Sequence, residues 1–231
     1  MTDSSGFSMP SKDEVLQWLE EKSTPKDVDN LKRFGINARN AVGVSMANIQ
    51  LIAKRIGHDH KLAEALWKTG CYEARMLSAF IDDPALVTSA QMDRWCGDFD
   101  NWGITDTLCF KLFDQTPHAW AKVAEWCPQD EEFVKRAGFA LLASLAGHDK
   151  SATDKQFIEG LKLIEQYADD ERNFVKKGVS WALRRIGSRN PKLLAAAVPV
   201  AERLAKSPHS GAKWVGKDAL RDFKKWKGTA K

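Results

Sequence analysis

The chain has 231 residues, 43% of them apolar, with nine tryptophans and a net charge of +4, enough for one large domain or two small ones around a sizeable core. It contains no run of about 18 apolar residues, and its start, MTDSSGFSMPSKDE, has neither a basic opening nor an apolar stretch. A membrane span and a secretory signal are therefore not expected, and a cytoplasmic location, nucleoid-associated when bound to DNA, is.

Apolar residues recur at spacings of three and four throughout, and sustained strand alternation is missing, so the chain reads as all-helical. Pro84, Pro117, Pro128, Pro191 and Pro208 mark element borders. Residues 1–27 are read as an N-terminal segment with a first helix that packs on the body, and residues 28–231 as the repeat body. The GHDH stretch with His58 and His60 fits a helix-end loop better than a metal site, because an i, i+2 pair does not share a helix face. Cys71, Cys96, Cys109 and Cys127 lack C-x-x-C spacing and fall in apolar helical stretches, where free cysteine acts as a small hydrophobe. No glycine-rich phosphate loop, G-x-S-x-G or H-E-x-x-H occurs.

Four segments repeat. FVKRAGFALL from Phe133, FVKKGVSWAL from Phe174 and WVGKDALRDF from Trp214 align without gaps at offsets of 41 and 40, and YEARMLSAFI from Tyr72 is a weaker copy. Periods of this size in helix pairs mean a stacked solenoid, since one pair cannot bury its own apolar face. The fourth residue of each copy is basic, Arg75, Arg136, Lys177 and Lys217, so stacking would line them into a column. A further copy is expected between residues 75 and 136. Placing Asp106 in that register, 31 and 30 residues from its neighbours and with Ile104 matching Val134, Val175 and Val215, sets one acid in a column of bases.

The helix opening near Trp102 carries Asp106 inside a broad apolar arc, between Phe113 and Phe110. A buried, unpaired carboxylate costs several kcal/mol by order of magnitude. Asp106 thus either forms a structural ion pair or faces a cleft that receives a cationic ligand. On the helix from Phe174, Val175, Val179, Ala182, Leu183 and Ile186 form the core stripe, while Lys177, Trp181 and Arg185 follow at i, i+4 and i+8 on another face. Most tryptophans pack inside proteins, but Trp181 stands among cations, which suits contact with a nucleotide. Residues 172–231 hold 16 Lys or Arg against 3 Asp or Glu, leaving 19 against 28 in the rest. A folded basic surface points to a polyanion, most simply nucleic acid.

The segments FDNWGITD, FVKRAGFALL, FVKKGVSWALRRIGSRNP and GVSMANIQLIAKRIG resemble the AlkD-like DNA alkylation repair glycosylases over residues 28–225. The resemblance implies a curved right-handed α-solenoid of HEAT-like repeats with a basic concave face. It implies excision of cationic alkylated purines, such as 3-methyladenine and 7-methylguanine, by a monofunctional DNA glycosylase of base excision repair. By motif, Trp102, Asp106 and Trp181 fall on the catalytic positions and Arg136 on a DNA-holding one; Phe34 takes a place where the family often has an aromatic near the lesion. Lys177, Arg75, Lys217 and Arg185 complete the expected DNA-binding set. Where the family usually has Trp-Asp-Leu-Cys-Asp this chain has Trp-Gly-Ile-Thr-Asp, so Gly103 replaces the first acid. A monomer acting on duplex DNA without metal or organic cofactor is expected. The alternatives are a non-catalytic HEAT-like protein that senses damaged or branched DNA, and a scaffold that grips an acidic partner.

Overall fold

The computed structural model describes residues 9–38 and 40–225. Among them there are thirteen α-helices and no strand, and none of the helices is long and apolar enough to cross a membrane. The chain divides into two compact units, one up to Thr88 and one from Ser89 onward; the expected boundary at 27/28 falls within a helix of the first.

The first unit holds α1 (Lys12–Glu21), α2 (Pro25–Arg33), α3 (Met46–Ile56), α4 (His60–Trp67) and α5 (Tyr72–Ile81). A capping box of Ser11 and Glu14 starts α1, whose Val15 and Leu19 are buried and which packs against α4 and α5. Glu73, wholly buried at the start of α5, accepts hydrogen bonds from the backbone N–H groups of Val42, Gly43 and Val44, which pins the loop before α3. His58 and His60 lie at the entry to α4, where their Nδ1 atoms meet Asp82, the loop setting expected of them.

The second unit contains α6 (Ser89–Gly97), α7 (Trp102–Lys111), a 3₁₀ turn (Phe113–Gln115), α8 (Ala119–Trp126), α9 (Glu132–His148), α10 (Asp154–Tyr167), α11 (Asn173–Gly187), α12 (Pro191–Ala205) and α13 (Ser210–Phe223). The repeat copies fall on alternate helices, and α7, α9, α11 and α13 lie side by side in that order, each against the next. Their partners α8, α10 and α12 cover the other side, which is the helix-pair stacking that the 41- and 40-residue offsets require. Pro191 at the first turn of α12 behind its Asn190 cap, and Pro117, Pro128 and Pro208 between helices, mark the borders.

The central helix α9 is buried on most sides, with Phe139, Leu141 and Leu142 fully enclosed, and Trp95, Phe113 and Phe157 close the core around it. Each such side chain contributes roughly 1.5–3 kcal/mol by removal from water. Cys96, Cys109 and Cys127 are buried free thiols in this packing, their ionisation suppressed by burial. Helix α13 approaches α12 through Gly216, where a Cβ would collide with the backbone of Ala201 and Ala205.

A cationic and aromatic pocket as the candidate functional site

The site is built on four adjacent helices, α7, α9, α11 and α13. Asn101 caps α7 by accepting a hydrogen bond from the Ile104 N–H at 3.1 Å, and so fixes the register that puts Asp106 one turn into the helix. Next to it, α9 brings up Arg136, which donates from Nε to Asp106 Oδ1 at 2.9 Å and from Nη2 to Oδ2 at 2.7 Å. Its Nη1 donates to the Phe174 carbonyl at 2.5 Å, so one guanidinium ties α7, α9 and α11 together. The expected register between Asp106 and Arg136 is therefore realised as a direct contact.

Asp106, Arg136, Lys177, Trp181, Arg184 and Trp214 line an open pocket of about 390 Å³, within the usual range for ligand sites. The Asp106 side chain is 21% exposed and that of Arg136 only 7%. Burial pushes the Asp106 carboxyl above its ordinary range, while the charge and hydrogen bonds of Arg136 pull it back. The acid is thus both an ion-pair partner and a wall of the pocket, and the two roles weighed for it coincide in one place.

Lys177, Trp181 and Arg184 occupy one face of α11, with Lys177 exposed and the other two half-buried. Asp218 on α13 sits behind Arg184, its Oδ2 3.5 Å from Nε and accepting from Ser180 Oγ at 2.6 Å. Trp214, 37% exposed, closes one side, with Lys176 Nζ 5.7 Å from its ring centre. The lining carries three cations against one carboxylate and two indole rings, a surface that accepts a polyanion while offering one acid and two electron-rich ring faces.

Of the residues expected from sequence, Asp106, Arg136, Lys177 and Trp181 come together here. Arg136 departs from the part assigned to it: it is buried and spends three donors inside the protein, so it props the acid instead of reaching outward as a phosphate arm. Trp102 opens α7, one turn before Asp106 and half-buried, outside the pocket lining. Arg185 turns away, its guanidinium lying over Gly147, where a Cβ would collide with Nη2. Lys217 is exposed on α13 but does not line the pocket. In the first unit, Arg75 donates from Nε to the Trp67 carbonyl at 3.3 Å and stacks 4.9 Å from that ring, and Phe34, 63% exposed, ends α2.

Sequence reasoning missed Arg184 and Trp214. At about 100° per residue Arg184 lies about 20° from Lys177 around the helix and Arg185 about 80°, so the wheel favoured Arg184. Trp214 heads the last repeat copy where Phe133 and Phe174 head the others, and those two rings pack at 5.5 Å. The change from phenylalanine to an exposed tryptophan at the end of that row was the available signal.

A family model described as DNA alkylation repair enzyme matches residues 15–223. Among solved structures, the chain is similar to one described as "A new family of proteins related to the HEAT-like repeat DNA glycosylases with affinity for branched DNA structures", with a TM-score of 0.75 and 19% identity, covering 92% of this chain and 95% of that one. A designed armadillo repeat protein in complex with the peptide (KR)4 aligns at a TM-score of 0.46 and 14% identity, over 91% of this chain and 99% of that one. At 19% identity the first likeness establishes the HEAT-like fold, and the second falls below the level that adds to it. No curated protein matches the chain.

Proposed function

Because the chain belongs to the DNA alkylation repair enzyme family, whose model spans residues 15–223, we propose that it hydrolyses the N-glycosidic bond of cationic alkylated purines in duplex DNA. The observation that carries this reading is the Asp106 carboxylate, clamped by Arg136 on the wall of an open cationic pocket bordered by Trp181 and Trp214.

Alkylation at N3 or N7 puts a positive charge on the purine, so the base departs with the bonding electron pair and becomes neutral. The deoxyribose then carries the positive charge, and stabilising that charge is the main task left to the protein. Asp106 faces the sugar, holds the water that forms the new C1′–O bond and accepts its proton, which passes to solvent. Arg136 is a positioning residue that fixes the direction of the carboxylate. The faces of Trp181 and Trp214 contact the cationic nucleotide, each worth about 0.5–2 kcal/mol, and Lys177 and Arg184 take the flanking phosphates. Trp102, a catalytic position by the resemblance, lies one turn before Asp106 on α7.

A second reading has one specific support. The structurally similar protein is described as having affinity for branched DNA, and both oxygens of Asp106 here are already engaged by Arg136. A non-catalytic binder needs the cations and rings but no acid free to receive a proton. Incubation with a duplex containing one 7-methylguanine, followed by alkaline cleavage of any abasic site, separates the two. Strand scission at the lesion supports excision. Intact strands, together with tighter binding to a four-way junction than to linear duplex, support the binder.

A further inference from the structure

We propose that the C-terminal end of α9, around His148, is a second binding site for backbone phosphates of the same DNA; this rests on the DNA reading above, though not on catalysis. Its centre is a buried acid outside the pocket. Asp114 in the 3₁₀ turn has a side chain with no exposure, and its Oδ2 accepts from Ser144 Oγ at 2.5 Å and from His148 Nδ1 at 2.6 Å. Its Oδ1 is buried with no hydrogen-bond partner. A buried carboxylate needs hydrogen-bond partners, and the imidazole and the Ser144 hydroxyl supply them. The ring of His148 is also held by the edge of Phe110 at 4.3 Å, and Nε2 is the ring nitrogen outside the Asp114 contact.

The surroundings are cationic from three elements. Lys111 of α7 lies 5.0 Å over the Phe110 ring, Lys150 of the following turn donates to the Gly147 carbonyl at 2.7 Å, and Arg185 of α11 lies over the bare Gly147. The other nearby acid, Asp149, is engaged by Trp120 Nε1, Ser151 and the Ala152 N–H. Ser144 contributes only its hydroxyl, already bound to Asp114. The helix-end carbonyls are satisfied within the protein: Ala146 accepts from Arg189, Leu145 from the Asp149 N–H and Gly147 from Lys150.

The direction of the helices selects the ligand. From the pocket to this patch α7 runs from Asp106 to Lys111, α9 from Arg136 to His148 and α11 from Lys177 to Arg185. At 1.5 Å per residue the patch lies about 8–18 Å beyond the pocket. That corresponds to about two to five nucleotides of one strand at 3.4 Å each. A duplex gripped at the pocket thus brings its phosphates to His148, Lys111 and Arg185.

The test uses the full chain with His148→Gln and Lys111→Gln, titrated by fluorescence anisotropy against a lesion duplex at several salt concentrations. Each variant is expected to lose about 3–10-fold in affinity, and Lys111→Gln roughly one unit in the slope of log affinity against log salt. Single-turnover excision at saturating protein is unchanged. Duplexes with ten base pairs on one side of the lesion and two on the other, in both orientations, should show the loss in one orientation only. If His148→Gln unfolds, Lys111→Gln at an exposed position carries the same measurement. Unchanged salt slopes, equal loss in both orientations, or displacement of the duplex by a glutamate-rich peptide at equal charge would overturn the proposal. Wild-type protein that fails to excise any lesion, with the slope changes intact, would sink the glycosylase reading and leave this site standing.

Discussion

Arg136 meets Asp106 edge to edge, one nitrogen on each carboxylate oxygen at 2.9 and 2.7 Å, across 30 residues of sequence. The pair is oriented so that the acid borders the pocket while the guanidinium stays buried. An ion pair that only stabilised the fold would have no need to present its acid to a ligand-sized opening.

Asp106→Asn should therefore reduce single-turnover excision by at least about 10²–10³-fold, the range for loss of one preorganised charge in a transition state. DNA affinity should stay within a few-fold, because the lost interaction belongs to the transition state and not to phosphate binding. Equal losses in binding and turnover would assign Asp106 a purely structural role.

Removing the other partner tests the clamp. Arg136→Ala leaves a half-desolvated carboxylate unpaired, and breaking a buried pair this way costs about 3–5 kcal/mol, with the lower end expected because Asp106 is one-fifth exposed. Denaturant unfolding should show this loss, and adding Asp106→Asn to the same chain should recover part of it. Arg136→Lys should rescue stability better than turnover, since an ammonium has no planar fork to fix the carboxylate. A lysine variant with full activity would remove the positioning role.

The acid limb of the rate follows from burial. Because Asp106 keeps its proton to a higher pH in the folded protein than in the unfolded chain, the folded form gains protons at this group as pH falls through that window. Acidification therefore does not cost stability at Asp106. The single-turnover rate should fall with unit slope below a midpoint above the ordinary aspartate value of about 3.9, while the melting temperature measured in parallel does not fall because of this group. A midpoint at or below the ordinary value would mean that a different acid limits the reaction.

The stacking was legible because a helix pair repeats its spacing in the sequence: the copies at Phe133, Phe174 and Trp214 fall on α9, α11 and α13, and the same register brought Asp106 against Arg136. What a wheel cannot give is the bulk of the neighbour. Arg185 leaves the pocket face because Gly147 opens room for its guanidinium, while Arg184, nearer to Lys177 around the helix, lines the pocket. Nor does spacing reveal that Asp114 and His148, 34 residues apart, are in hydrogen-bond contact, because that depends on the depth at which the 3₁₀ turn seats the acid.

Lys177→Ala and Arg184→Ala should weaken binding to damaged and undamaged duplex alike, each lowering the salt slope by roughly one unit per lost phosphate contact. Such contacts position the duplex and carry no lesion information. Arg136→Ala should leave the slope unchanged, since its donors are spent inside the protein. If Arg136→Ala lost a full unit instead, the arginine would be reaching the backbone after all.

Substrate choice should follow the charge of the leaving base. The pocket offers two indole faces and one carboxylate, and its remaining polar groups are cations suited to phosphates, so it holds no neutral donor set that would read base edges. Cationic 7-methylguanine and 3-methyladenine depart without help, whereas neutral uracil or hypoxanthine requires protonation by an acid. Both oxygens of Asp106 accept from Arg136, so the group is oriented to accept and not to donate to a leaving base. Openness adds a second consequence: a bulkier cationic adduct meets no closed wall and should also be released, where a sealed pocket would reject it by overpacking. Single-turnover rates on matched duplexes bearing each lesion provide the check. Comparable release of uracil would defeat the charge-driven mechanism, and refusal of every bulky cation while methyl adducts react would defeat the open geometry.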